Sequence, residues 1–196
     1  SLGPVWSRSN IFGHGVPFRF PSTGDTGDGL TAVGKNLIRF CNDRRLLIDL
    51  SHLNEKGFWD AATLSKAPLV ATHSNAHAIC ASSRNLSDDQ LKAVRDSGGM
   101  VGLNCASGFL REDGRWSTDT PLEIMVRHLD HMLKVAGENC VALGSDFDGA
   151  RIPDGIKDAT GLPNLIDTLR ERQYSEKLIA KIAHENWLSV LERTWG

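Results

Sequence analysis

The stretch Leu46–His52, LLIDLSH, decides how the rest of this chain is read. It is a brief apolar run, too short for a helix, and it finishes on a histidine. A second run at 67–74, APLVATHS, does the same at His73. Side chains alternate across a strand, so Ile48, Leu50 and His52 are expected on one face, and Leu69, Ala71 and His73 on another. In NCVALGSD (139–146) the same count joins Ala142, Gly144 and Asp146. Each strand then sends apolar or small residues inward and ends that face with a polar group. Asp49 points the other way by this count, towards a helix layer, and needs a buried partner there.

Two neutral imidazoles from neighbouring strands can meet at one Zn²⁺. A hydrogen-bonded strand-end histidine explains either residue alone. Two in phase, with Asp146 in phase later, favour the metal.

Around these strands the pattern is regular. Residues 1–30 are rich in Gly, Pro and Ser and read as a long loop with a weak strand, LGPVW, at 2–6. Thr31 caps a helix with Val33, Leu37, Ile38 and Cys41 on its apolar side, ending near Arg44. GFWDAATLSK (57–66) is helical, and Ser87 with Gln90 has the form of a capping box opening DDQLKAVRDS (88–97). GMVGLNCA (99–106) is a strand. Pro121 starts a helix with the stripe Leu122, Met125, Leu129, Met132 and Val135. Two helices, near 163–172 and 175–193, close the chain.

Strands alternating with helices make an α/β protein with a parallel sheet. No Gly-rich phosphate fingerprint follows any strand, which disfavours a nucleotide-binding doubly wound sheet. Polar residues recur at strand ends, where (β/α)₈ TIM barrels keep their chemistry. A full barrel takes about 250 residues and eight strands. This chain has 196 residues and four clear strands with a weak fifth. The expectation is one domain, 1–196, forming the C-terminal four to five βα units of a barrel.

Composition narrows the function. A formal charge of −2 offers no footprint for nucleic acid or a membrane surface. No apolar run approaches the ~18 residues of a membrane span. SLGPVWSRSN at the start has neither the charged nor the apolar region of a signal peptide, and no Met, so a fragment or processed product is expected. Cys41, Cys80, Cys105 and Cys140 form no C-x-x-C pair and read as buried, reduced thiols, which suits the cytoplasm. Half a barrel exposes strand edges, so self-association, including a homo-oligomer, is expected.

Several other residues invite chemistry. His73 and His77 form H-x-x-x-H, but His73 ends a strand, so His77 reads as a loop or surface residue. His128 and His131 in RHLDH read as a solvated helix face. His14 in FGHGVPF (12–18) is placed to reach the barrel mouth. GSDFDG (144–149) lacks the remaining ligands of an EF-hand loop. An acid at a strand end beside a metal instead suits proton transfer by Asp146, while an Asx-turn suffices for Asp148. The planar fork of Arg84 suits a substrate carboxylate, although a loop arginine in water explains it too.

Taken in order, LIDLSH, ATHSNAHAIC with SRNLSDDQL, and GSDFDG closely resemble the membrane (renal-type) dipeptidase family of zinc peptidases. The likeness runs from about Leu30 to the C-terminus, including LPNLIDTL (162–169) and ENWLSVL (185–191). It implies a metal-dependent-hydrolase barrel with two zinc ions that hydrolyses dipeptides, often with a D-residue at the C-terminal position. It further implies that His52 and His73 hold one zinc, that Arg84 binds the substrate's terminal carboxylate, and that Asp146 transfers protons. The metals would polarise the scissile carbonyl and acidify a bridging water.

Two departures follow from the same comparison. The family's other zinc ligands, an early His-x-Asp pair and a bridging glutamate, belong to an N-terminal half. At most one partial site is therefore expected here, without activity in the isolated chain. Trp6 in VWSR stands where many members have a substrate-contacting histidine, which implies altered specificity or transfer of that role to His14. The alternatives are a catalytically dead remnant or binding protein, and a related metal-dependent amide or ester hydrolase.

Overall fold

Thr31 opens the first helix as its spacing predicts. Its side chain accepts from Gly34 N, and α1 runs over Ala32–Asp43 in a computed structural model that describes residues 1–196. Asn54 caps α2, Glu55–Leu64, in the same way through Gly57 N. Val70–Ala71 form β1, and Ser87 starts α3, Asp88–Asp96, with both halves of the capping box made. The chain continues through β2, Met100–Asn104, a short α4, Ser107–Leu110, and α5, Leu122–Ala136. Then come β3, Val141–Ser145, α6, Leu162–Glu171, and α7, Glu176–Ala180. A π-helical turn, Lys181–Glu185, joins α7 to α8, Asn186–Trp195. The sequence shows no sign of α4 or of the π turn.

All sheet pairing is parallel. Strand order is β1-β2-β3, with Ala71 facing Val101 and Val101 facing Val141. Single parallel bridges extend the order at one edge, Asp49 to Val70 and Leu2 to Ile48. The expected strand at 46–51 is thus only a bridge ladder, and LGPVW contributes Leu2 alone. Five parallel segments lie side by side in chain order. Helices α3 and α5 join β1 to β2 and β2 to β3, as parallel connections require.

The expected common face is not common. Ile48, Leu50, Leu69, Ala71, Val101, Leu103 and Val141 pack into the larger core with Ile38, Phe58, Leu91, Met125 and Leu165 from the helices. Ala142 instead joins Leu47, Val70, Met100 and Val190 of α8 in a second cluster. Alternation also stops short of the histidines. Ser51 and His52 lie in a turn and His73 in a bend, beyond the last ladder bonds. A register shift between Leu103 and Asn104 then moves Ser145 opposite Asn104. Turns and a bulge aim the polar groups, not strand phase.

Gly102 and Gly144 allow the strands to close up at this end. A Cβ on either would stand 2.1 Å from the Thr72 carbonyl oxygen. No helix of the chain is long and apolar enough to cross a membrane, and all four cysteines are unpaired and buried.

Candidate metal centre

His52 and His73 meet. Their Nε2 atoms are 2.9 Å apart and their ring centroids 4.9 Å. The outer nitrogens are tied to hydroxyls: His52 Nδ1 to Ser7 Oγ at 2.9 Å, and His73 Nδ1 to Thr72 Oγ1 at 2.6 Å. Behind Thr72 stands Asp49, whose Oδ2 accepts from Thr72 Oγ1 at 2.6 Å. Asp49 Oδ1 accepts from Ser51 N, Ser51 Oγ and Thr72 N. Asp49 therefore finds its partners at the strand ends, 3.9 Å from His73 Nδ1, and not in a helix layer.

Burial is the main cause that keeps both rings neutral, and the Arg84 cation adds to it. His52 is pushed down to about 3, and His73 is lowered against the opposing pull of Asp49 and Asp146. Burial pushes Asp49 up, but hydrogen bonds from Ser51 and Thr72 outweigh it and hold the carboxyl below its ordinary range.

Arg84 is not a loop arginine in water. It is 2 % exposed. Its guanidinium donates to the Ser51 carbonyl and, at 3.2 Å, to the His73 carbonyl, and it lies 5.3 Å from the Phe109 ring. Its Nε has no partner. Burial lowers its pKa to about 10, which leaves it a cation at neutral pH. Asp146 sits at the end of β3 with φ 73°, between Ser145 at 46° and Asp148 at 64°. Three non-glycine residues in the left-handed region within four positions concentrate strain where the carboxylate is presented. Asn104 Nδ2 donates to Asp146 Oδ2 at 3.0 Å.

The loop 1–30 lies over these strand ends, with Val16 N bonded to the His52 carbonyl and Gly15 bridged to Leu53. His14 is on that loop, but its Nδ1 engages Ser9 Oγ at 3.2 Å and packs on Gly27, not on the histidine pair. Trp6 is nearer: its ring is 5.9 Å from that of His52. An aromatic row leads away from it through Phe18, Phe109 and Trp116.

Sequence reasoning missed Ser7, Thr72 and Asn104. Asn104 ends β2 as the other polar groups end their strands, so that rule finds it once applied to every strand. His128 was misplaced on a solvated face. It is fully buried, Nε2 on the Leu110 carbonyl at 2.9 Å, with Ala76 N donating to Nδ1 at 3.2 Å. The cause is α4, which lays Leu110 against α5. His77 is half-buried, with Nε2 on the Ser22 carbonyl.

A borderline cation with a taste for imidazole fits this donor set: two neutral rings, Nε2 atoms convergent, outer nitrogens hydrogen-bonded. No cluster of three or more histidine, cysteine or acidic side chains suited to a metal occurs in these residues.

The sequence profile described as "Membrane dipeptidase (Peptidase family M19)" matches residues 1–195. The chain belongs to the membrane dipeptidase family. A Klebsiella pneumoniae protein from the pqqA 5′ region is 53% identical over 195 residues, which are 100% of this chain and 72% of that protein. Two solved members of the fold match closely. One is a metallo peptidase from Rhodobacter sphaeroides liganded with a phosphinate mimic of the dipeptide L-Ala-D-Ala, at TM-score 0.97 and 60% identity over 98% of this chain. The other is dipeptidase AC, at TM-score 0.98 and 60% identity over 99% of this chain. The chain spans 55% and 56% of those two proteins. In this member of the membrane dipeptidase family two histidine rings meet beyond the strand ends, with a tryptophan beside one of them.

Proposed function

We propose that this chain is one part of a zinc-dependent dipeptidase, and that it supplies the histidine pair of one metal, the carboxylate-binding arginine and the proton-transfer acid. The convergence of the two Nε2 atoms carries the reading. Five parallel segments in chain order support a partial (β/α)₈ barrel, formed as one domain over 1–196 with 1–30 as its loop-rich cover. Four unpaired, buried cysteines go with a reducing, cytoplasmic setting.

In this reading His52 and His73 hold one zinc ion, and the ligands of a second come from residues outside these 196. Bound zinc polarises the scissile carbonyl and acidifies water. The chain's own groups do the rest. Arg84, buried and cationic with Nε unengaged, receives the dipeptide's terminal carboxylate. Asn104 occupies Asp146 Oδ2, which leaves Oδ1 to exchange a proton with the departing amine. His14, on the covering loop, makes a substrate contact from above. A dipeptide ending in a D-residue is the substrate class, which follows the L-Ala-D-Ala mimic held by the Rhodobacter relative.

Hydrolysis of L-Ala-D-Ala with added zinc tests this, using the 196 residues alone and as part of a longer natural chain. We expect turnover only from the longer protein, abolished by His52→Ala or His73→Ala. Turnover by the 196 residues alone contradicts the division of ligands. No turnover by the zinc-loaded longer protein contradicts the dipeptidase reading.

A further inference from the structure

The hydrogen bonds around His73 can be resolved into protons. Asp49 receives four of them: Ser51 N at 3.0 Å, Ser51 Oγ at 2.6 Å and Thr72 N at 3.0 Å on Oδ1, and Thr72 Oγ1 at 2.6 Å on Oδ2. A hydroxyl has one proton to give. The Thr72 proton goes to Asp49, so Thr72 Oγ1 meets His73 Nδ1, 2.6 Å away, as an acceptor. Nδ1 must then carry the ring's proton, and Nε2 is left with its lone pair. Ser51 is bound in the same manner. Its proton goes to Oδ1, so its Oγ accepts the His73 backbone N–H at 3.0 Å and fixes the main chain from which the ring projects.

We propose that Asp49 is a positioning residue which, through Thr72, locks His73 in the Nδ1–H tautomer and keeps the Nε2 lone pair aimed at the point shared with His52. The lock is one-sided. His52 Nδ1 faces Ser7 Oγ at 2.9 Å, and no carboxylate stands behind that hydroxyl. Ser7 follows His52 in either tautomer, whereas Thr72 dictates to His73. The role of the lone pair in holding a metal rests on the dipeptidase reading, but the proton arrangement does not.

Asp49→Asn reverses the direction of the chain of protons. The amide it introduces donates to Thr72 Oγ1, Thr72 then donates to His73 Nδ1, and the ring proton moves to Nε2, where it covers the lone pair. Thr72→Val removes the coupling, and Thr72→Ser preserves it. Long-range ¹H–¹⁵N spectra of the metal-free 196-residue chain report the tautomer of His73 directly. We expect Nδ1–H in the native chain and in Thr72→Ser, a mixture in Thr72→Val, and Nε2–H in Asp49→Asn. Titration with Zn²⁺ should show affinity lowered roughly 10- to 100-fold in Asp49→Asn and Thr72→Val but not in Thr72→Ser.

A native His73 carrying its proton on Nε2 overturns the proposal. So does a tautomer and zinc affinity unmoved by Thr72→Val, a variant that keeps the result decisive if Asp49→Asn does not fold. If the tautomers are as stated and zinc fails to bind any form, the lock stands and the metal reading falls.

Discussion

His52 Nε2 and His73 Nε2 stand 2.9 Å apart, although their residues leave the sheet from different segments and through different turns. Without a cation the two rings share one N–H···N bond, His52 Nε2–H donating to the His73 Nε2 lone pair. A zinc ion that binds the folded pair and not the unfolded chain should raise the stability of the folded chain. At a free concentration about 100 times its dissociation constant the gain is about 2.7 kcal/mol. Thermal unfolding with and without Zn²⁺ checks this. His52→Ala and His73→Ala should each remove the zinc-dependent rise, and a chelator should reverse it in the native chain.

His128 sets a pH limit on stability independent of the metal. Burial is the main cause that lowers its pKa to about 4 from an ordinary 6.5, and the hydrogen bonds fit only the neutral ring. Nε2–H donates to Leu110, and Nδ1 has to accept from Ala76. The unfolded chain takes up the proton near pH 6.5 and the folded chain only near 4. This group's contribution is thus complete above pH 6.5, falls as the pH drops towards 4 and is constant below, a loss of about 3 kcal/mol. Urea unfolding across that range should show the slope, and His128→Gln, which keeps a donor and an acceptor but does not titrate, should flatten it.

Gly102→Ala should damage fold and site together. The added Cβ would stand 2.1 Å from the Thr72 carbonyl and 2.9 Å from Gly144 Cα, both backbone atoms. A loss of about 1–3 kcal/mol is expected, with weaker zinc binding because Thr72 moves with its carbonyl. Gly137→Ala adds a Cβ that meets nothing within 4 Å, so steric crowding contributes nothing there; its φ of 85° alone sets the cost. Denaturation midpoints of the two variants, with zinc affinity, separate crowding from backbone strain.

Much of the fold was legible because local chemistry agreed with it. Thr31, Ser87 and Pro121 mark helix starts that the structure repeats, and alternating apolar runs foretell parallel pairing. What failed was phase. Ile48 and Ala142 went to different clusters, and the histidines are aimed by turns past the ladder, where a period of two has no force. Arg84 and His128 failed for another reason. Their burial depends on segments distant in the chain, α4 above all, and one residue's surroundings cannot be read from its neighbours in sequence. Asp49, the residue without a partner, found one across the sheet in Thr72.

Ser87→Ala should cost about 1 kcal/mol by removing the capping bond to Gln90 N. It should leave zinc affinity unchanged, since α3 starts away from the histidine pair. A stability loss accompanied by lost zinc binding would tie the cap to the site, against this expectation.

The most direct test is anomalous diffraction at the zinc edge from crystals of the chain grown with Zn²⁺. We expect one site, bonded to Nε2 of both His52 and His73 at about 2.0–2.1 Å. Zinc bound elsewhere, or on one histidine alone, would contradict the assignment of this pair as a metal clamp.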